Sequence, residues 1–194
     1  MSECWAAGEP DAEWGDLVSL WEQVEAPKDC RVEIVQGVIT VSSRRVTSHH
    51  FIADSMTRCL YRVIPEDRGI HQTLAVAIPS RLGMYIPDLV VAPDAALREE
   101  GNYIPAAAAE LVVEITSKSN ARHDRISKPA GYAAAGVPLY LLIDAHAPGG
   151  PTVTLYGEPK GDVYRLLSAG KFGDEVTLPA PFDLTLDTGE FPVS

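Results

Sequence analysis

Cysteine is scarce: Cys4, Cys30 and Cys59 are the three in 194 residues, an odd count with no CxxC pair. That argues against a disulfide framework and against a zinc site, and fits reduced, structural thiols in a cytoplasmic protein. No apolar run reaches the ~18 residues of a membrane span, and the first 30 residues are acidic instead of basic then apolar. The expectation is therefore neither a transmembrane anchor nor a secretory signal. The chain also lacks GxSxG, GxGxxG and the Walker lysine motif, and its five histidines are scattered. Serine-hydrolase and nucleotide-cradling sites thus have no support. Aromatic residues make up only 7%, which offers little stacking for single-stranded nucleic acid.

A surplus of base is missing too: 16 Lys and Arg stand against 27 Asp and Glu, a net charge of −11. Global steering of a polyanion is excluded, but the acidity is uneven. Residues 1–30 carry a balance of −7 and residues 172–194 one of −5, whereas 31–171 stand at +1. A polyanion could still approach the middle. At 46% hydrophobic and 22% charged the chain reads as globular. Its length predicts an acidic tail over 1–10 followed by one domain over 11–194.

Trp14, Leu17, Trp21 and Val24 recur at helical spacing after Asp11, a candidate N-cap, and give a face for packing or for a dimer contact. Runs at 32–34 and 38–41 around Gln36-Gly37 predict a hairpin. Ile52, Met56, Leu60 and Val63 predict a second helix. Strands are expected over 71–78, 88–91 and 110–116, a helix over 119–135, then strands over 138–144, 152–156, 163–167 and 175–178. This order means an α/β or α+β sheet with β additions at the C-terminal end.

The chemistry begins at ELVVEIT, 110–116. Alternation along a strand sets Val112, Glu114 and Thr116 on one side and Val113 and Ile115 on the other. An acid in so apolar a strand must be paired, protonated, near solvent or bound to a metal. Asp88, after Pro87, heads another apolar strand. If the two strands are neighbours their carboxylates converge, and two carboxylates completed by water and phosphate oxygens suit magnesium. A turn-capping role for Asp88 is the plainer alternative. Asp124, Lys128 and Tyr132 then fall at i, i+4 and i+8, so the lysine could return towards Glu114. A solvated face with an Asp–Lys pair is the competing reading. Pro129 opposes a simple helix there; Ser127 as N-cap would leave the proline harmlessly in a first turn.

PDLVV (87–91), ELVVEITSKS (110–119), Asp124, Lys128, Tyr132 and GVPLYLLID (136–144) closely resemble the Uma-two family of restriction-endonuclease-like proteins, built on the PD-(D/E)xK nuclease fold. The resemblance extends back through VEIVQGVI (32–39), the His49 helix and the Trp-bearing helix, covering roughly 11–180. It implies a central mixed sheet flanked by helices, with extra C-terminal hairpins, and a magnesium- or manganese-dependent endonuclease acting on DNA. Asp88 and Glu114 would be metal ligands, aided by the Ile115 carbonyl, with Lys128 as the catalytic lysine. The sequence departs from the wider superfamily at Thr116, where the ExK lysine is expected. Lys118 is a spare candidate for that charge, and Glu33 and His49 would complete the site. Arg122 and Arg125 are candidates for phosphate-backbone contacts, with solvated surface charge as the alternative. Two rival functions stand beside this one: an inactive binding or structural module on the same fold, and an RNA or nucleotide phosphodiesterase. Open strand edges and the apolar first helix make a homodimer an expectation as well.

Overall fold

A computed structural model describes residues 10–28, 30–42, 47–98, 100–117 and 121–192. Cys4, Lys118 and nearly all of the acidic tail lie outside the described residues. Helix α1 spans Pro10–Glu22. Strands β1 (Arg31–Val35) and β2 (Val38–Ser42) form the expected hairpin. Its turn has positive φ at both Gln36 (52°) and Gly37 (79°), as a tight turn matched to strand twist requires. Helix α2 (Thr47–Leu60) follows, then β3 (Arg68–His71), β4 (Ala75–Ile78), β5 (Gly83–Tyr85), β6 (Leu89–Pro93), β7 (Tyr103–Pro105) and β8 (Leu111–Ile115). A π-helical turn, His123–Ser127, runs into α3 (Lys128–Ala134). Four strands finish the chain after β9 (Leu139–Asp144): β10 (Thr152–Lys160), β11 (Val163–Lys171), β12 (Glu175–Leu178) and β13 (Leu184–Asp187).

The strands make a five-stranded sheet, β2-β1-β5-β4-β7, a six-stranded sheet, β11-β10-β9-β8-β6-β3, and the separate pair β12-β13. Both larger sheets are mixed: β4 runs parallel to β7 and β8 parallel to β9, while their other pairings are antiparallel. Side-chain alternation divides the core. Leu89 and Val91, Leu111, Val113 and Ile115, and Leu139, Leu141 and Ile143 face α2 and the β12-β13 pair. Val90, Val112, Tyr140 and Leu142 face the other way, towards Tyr132 of α3 and Val35, Val76 and Tyr85 of the smaller sheet. These central strands, buried on both faces, are near-continuous apolar runs for that reason. Trp14, Leu17 and Trp21 of α1 pack over Ile34, Ala75 and Met84, and the Trp21 indole donates to the Val32 carbonyl at 2.6 Å. The tryptophan face is a packing face of this chain.

Four expectations need correction. The single strand expected over 71–78 is two strands in different sheets, parted at Gln72–Leu74 where Thr73 has φ 61°. Pro10 opens α1, so Asp11, expected as its cap, lies inside the helix; a proline in the first turn forgoes no needed donor. Ser127 is not a cap either, because it has helical φ and ψ and its side chain makes no capping bond. The chain passes through the π-turn unbroken, with the Lys128 amide donating to the His123 carbonyl. The next bond of that pattern would run from residue 129 to the carbonyl of Asp124, and Pro129 has no N–H to give. The Tyr140 hydroxyl supplies it instead, at 2.6 Å, so the proline is tolerated within the helix. Finally, β5, β7 and β13 are strands of three or four residues that periodicity did not reveal. Among the described residues no helix is long and apolar enough to cross a membrane, which says nothing of a β-barrel.

Candidate active site

Strands β6 and β8 are antiparallel neighbours in the register Leu89↔Val113, and the Asp88 amide donates to the Val113 carbonyl at 3.1 Å. Continuing that register sets Asp88 across from Glu114, so the two carboxylates meet at one end of the six-stranded sheet. Both are 1% exposed. The segment between β5 and β6 carries the chain from one sheet to the other, and β1 grips it there. The Ile86 amide donates to Glu33 Oε1 at 2.7 Å, and Arg31 Nη1 donates to the Ile86 carbonyl at 2.5 Å. Asp88 is placed by this grip on its neighbouring backbone as well as by its own bonds.

Asp88 Oδ2 accepts from the Ile115 amide at 2.7 Å and lies 2.8 Å from His49 Nε2, while Oδ1 is ion-paired with the Arg31 guanidinium. Burial works against the Asp88 charge. The His49 hydrogen bond, Arg31 and the Ile115 amide outweigh it and hold the carboxyl below the usual aspartate range. Glu114 is the opposite case. Burial pushes it well above the ordinary glutamate range, assisted by Asp124, Asp88 and Glu33 and resisted by Lys128.

Lys128 reaches the site from the start of α3. Its Nζ lies 3.0 Å from Glu114 Oε1, 3.0 Å from Glu33 Oε1 and 3.3 Å from Asp124 Oδ1, at 1% exposure. Burial opposes the ammonium charge, but Glu114, Glu33 and Asp124 overcome it and keep the lysine protonated well above its usual range. The Tyr132 hydroxyl donates to Glu114 Oε1 at 2.8 Å. Lys128 and Tyr132 therefore meet at Glu114, and Asp124 joins them through Lys128, so the face is buried and not solvated. Asp124 itself is pushed up to about 6, chiefly by burial.

The other sequence candidates fall as follows. Glu33 and His49 belong to the cluster. Ile115 is there through its backbone. Lys118 lies outside the described residues. Arg122 is exposed, whereas Arg125 is engaged at Asp144, with Nε 2.6 Å from Oδ2 and Nη2 3.0 Å from Oδ1. Thr116, at the position of the expected ExK lysine, donates its hydroxyl to Asp144 Oδ1 at 2.8 Å. Position 116 thus serves a structural network, and the lysine beside Glu114 comes from the following helix. Sequence reasoning passed over Arg31 and Asp144. Arg31 did carry a signal, since it stands two residues before Glu33 and so on the same side of β1.

Three buried carboxylates, Glu33, Glu114 and Asp124, surround Lys128, and Asp88, paired with Arg31, stands across the strand pair from Glu114. Hard oxygen donors in such surroundings fit a divalent cation of the magnesium type. Among the described residues no three His, Cys, Asp or Glu side chains are already gathered into a metal cage.

A family model described as "Putative restriction endonuclease", Uma2, matches residues 18–189. Among solved structures, the chain is similar to one titled "Crystal structure of a putative nuclease belonging to DUF820 from Anabaena variabilis ATCC 29413". The TM-score is 0.68 at 18% identity, over 90% of this chain and 96% of that one. At such identity the likeness shows the fold: mixed sheets flanked by helices, as the sequence led one to expect. No curated protein matches.

Proposed function

Because the chain belongs to the Uma2 family of restriction-endonuclease-like proteins, we propose that Asp88, Glu114 and Lys128 form the active centre of a metal-dependent endonuclease that hydrolyses DNA phosphodiesters. The observation that carries this reading is the meeting of Lys128 with Glu114 at 3.0 Å, directly across paired strands from Asp88. It restores an acid–acid–lysine set although residue 116 is threonine.

Asp88 and Glu114 would hold magnesium or manganese, with the Ile115 carbonyl as a third donor. Such an ion supplies Lewis acidity towards a phosphodiester oxygen and lowers the pKa of water. Lys128, held by Glu114, Glu33 and Asp124, would act as positive charge at the centre. It stabilises negative charge as it develops and orients the groups around Glu114. Tyr132 fixes the Glu114 carboxylate, and His49 with the Ile115 amide fixes Asp88. Burial of Asp88, Glu114 and Lys128 limits the screening of their charges by water. Arg122, exposed at the start of the same helical segment, is the better placed of the two arginines for a phosphate-backbone contact.

An inactive binding module on the same fold is the second reading. The engagement of Asp88 by Arg31 and His49 favours it. Nicking of supercoiled plasmid in magnesium or manganese, with a chelator control and the Lys128→Met variant alongside, separates the two. Metal-dependent nicking lost in the variant supports the endonuclease; DNA binding without cleavage supports the module. Cleavage confined to RNA would move the substrate class.

A further inference from the structure

Arg31 stands apart from the acid–acid–lysine set. It opens β1, with Nη1 on the Ile86 carbonyl at 2.5 Å and Nη2 ion-paired to Asp88 Oδ1. The guanidinium therefore occupies an oxygen of the very carboxylate assigned to metal binding. Its side chain is 14% exposed, against 1% for Lys128, so part of it already borders solvent where the lysine is fully enclosed. Its two arms also have different partners. The Ile86 carbonyl is backbone in the crossing between the sheets and can hold one arm while the other departs.

Resting on the metal-centre reading above, we propose that Arg31 is a displaceable counter-ion. It holds Asp88 in the metal-free protein and swings off that carboxylate, pivoting on Ile86, when a divalent cation binds. The freed arm then faces the site as a donor for a substrate phosphate oxygen, a role that suits the planar guanidinium fork.

Displacement costs the cation the energy of a charged hydrogen bond at Asp88. Removing Arg31 returns that energy to metal binding. The test measures manganese affinity by calorimetry, with and without a short DNA duplex, for the wild-type chain and Arg31→Gln. Arg31→Gln should bind manganese about tenfold more tightly, the equivalent of one such bond given up. In parallel, the side-chain N–H signals of Arg31 in the wild-type protein are followed by NMR during magnesium addition. The Nη signal on Asp88 should lose its protection from solvent exchange in step with binding, while the arm on Ile86 keeps it. Equal or weaker manganese binding by the variant, or an Asp88-bound arm still protected at magnesium saturation, overturns the counter-ion role and leaves the metal centre standing. No manganese binding by either protein, duplex present, overturns the metal centre and this proposal with it.

Discussion

Lys128 donates to Glu114 at 3.0 Å from a helix that begins fourteen residues further along the chain, and this contact takes the place of a lysine two residues after the acid. Three carboxylates keep that ammonium charged, so its removal leaves several buried acids facing each other. Lys128→Met is expected to lower stability by about 3–5 kcal/mol at neutral pH, the usual effect of breaking a buried pair. In the protein that still folds, cleavage should fall by about a hundredfold or more. Denaturant unfolding beside a plasmid-nicking assay checks both.

Thr116 behaves differently. Its hydroxyl bonds Asp144, which Arg125 also holds. Thr116→Val should cost about 1 kcal/mol of stability and leave the nicking rate near wild type. A large loss of cleavage would return position 116 to the active centre.

The π-turn depends on Tyr140, whose hydroxyl is the donor that Pro129 withholds from the Asp124 carbonyl. Tyr140→Phe strands that buried carbonyl and should destabilise the protein by about 1–3 kcal/mol. Because the turn also aims Asp124 and Lys128, cleavage should fall with it. A Pro129→Ala change in the same background supplies a new N–H and should recover part of the stability. Thermal unfolding of the single and double variants reads out both effects.

Asp124 gives the metal-free protein a distinctive pH dependence. Its carboxyl is pushed up to about 6, above the ordinary aspartate range, chiefly by burial. A raised carboxyl adds stability in its protonated form, fully present below the unfolded pKa and lost as pH rises through the folded value. Glu114 shifts in the same direction. Melting temperature without metal should therefore rise as pH falls from 8 towards 5. Asp124→Asn should flatten part of that rise and stabilise the protein at pH 8. Asp88 works the other way: it is depressed in the fold, so its contribution is lost only at still lower pH, as acid protonates it.

Gly131 tests the packing behind the site. A Cβ there would meet the Tyr85 ring and hydroxyl at 2.8 Å and Ile78 at 3.2 Å. Gly131→Ala gains helix propensity but should still lose about 1–3 kcal/mol by overpacking. Unfolding by denaturant decides the sign.

Much of the site was legible because it follows local periods. Two apolar strands each carrying one acid were visible as PDLVV and ELVVEI, and the spacing of Asp124, Lys128 and Tyr132 put all three on one helical face. What escaped was set by partners far along the chain. Arg31 meets Asp88 57 residues later, and nothing near Arg31 marks it except Glu33. Pro129 read as a helix boundary because the donor that makes it tolerable, Tyr140, sits on β9. The run over 71–78 read as one strand because the apolar stretch from Leu74 to Ile78 was extended back to His71, across the left-handed backbone at Thr73 that divides the two strands between sheets. Strands of three residues, β5 and β7, have too few side chains to show a period and are held by their neighbours.

The central claim is that Asp88 and Glu114 together hold a divalent cation. Manganese titration by calorimetry, on the wild-type chain, Asp88→Ala and Glu114→Ala, each with and without a short DNA duplex, addresses it most directly. The account predicts one site in the wild-type protein, strengthened by the duplex and lost in both variants. No site under either condition, or a site that survives both substitutions, would contradict it.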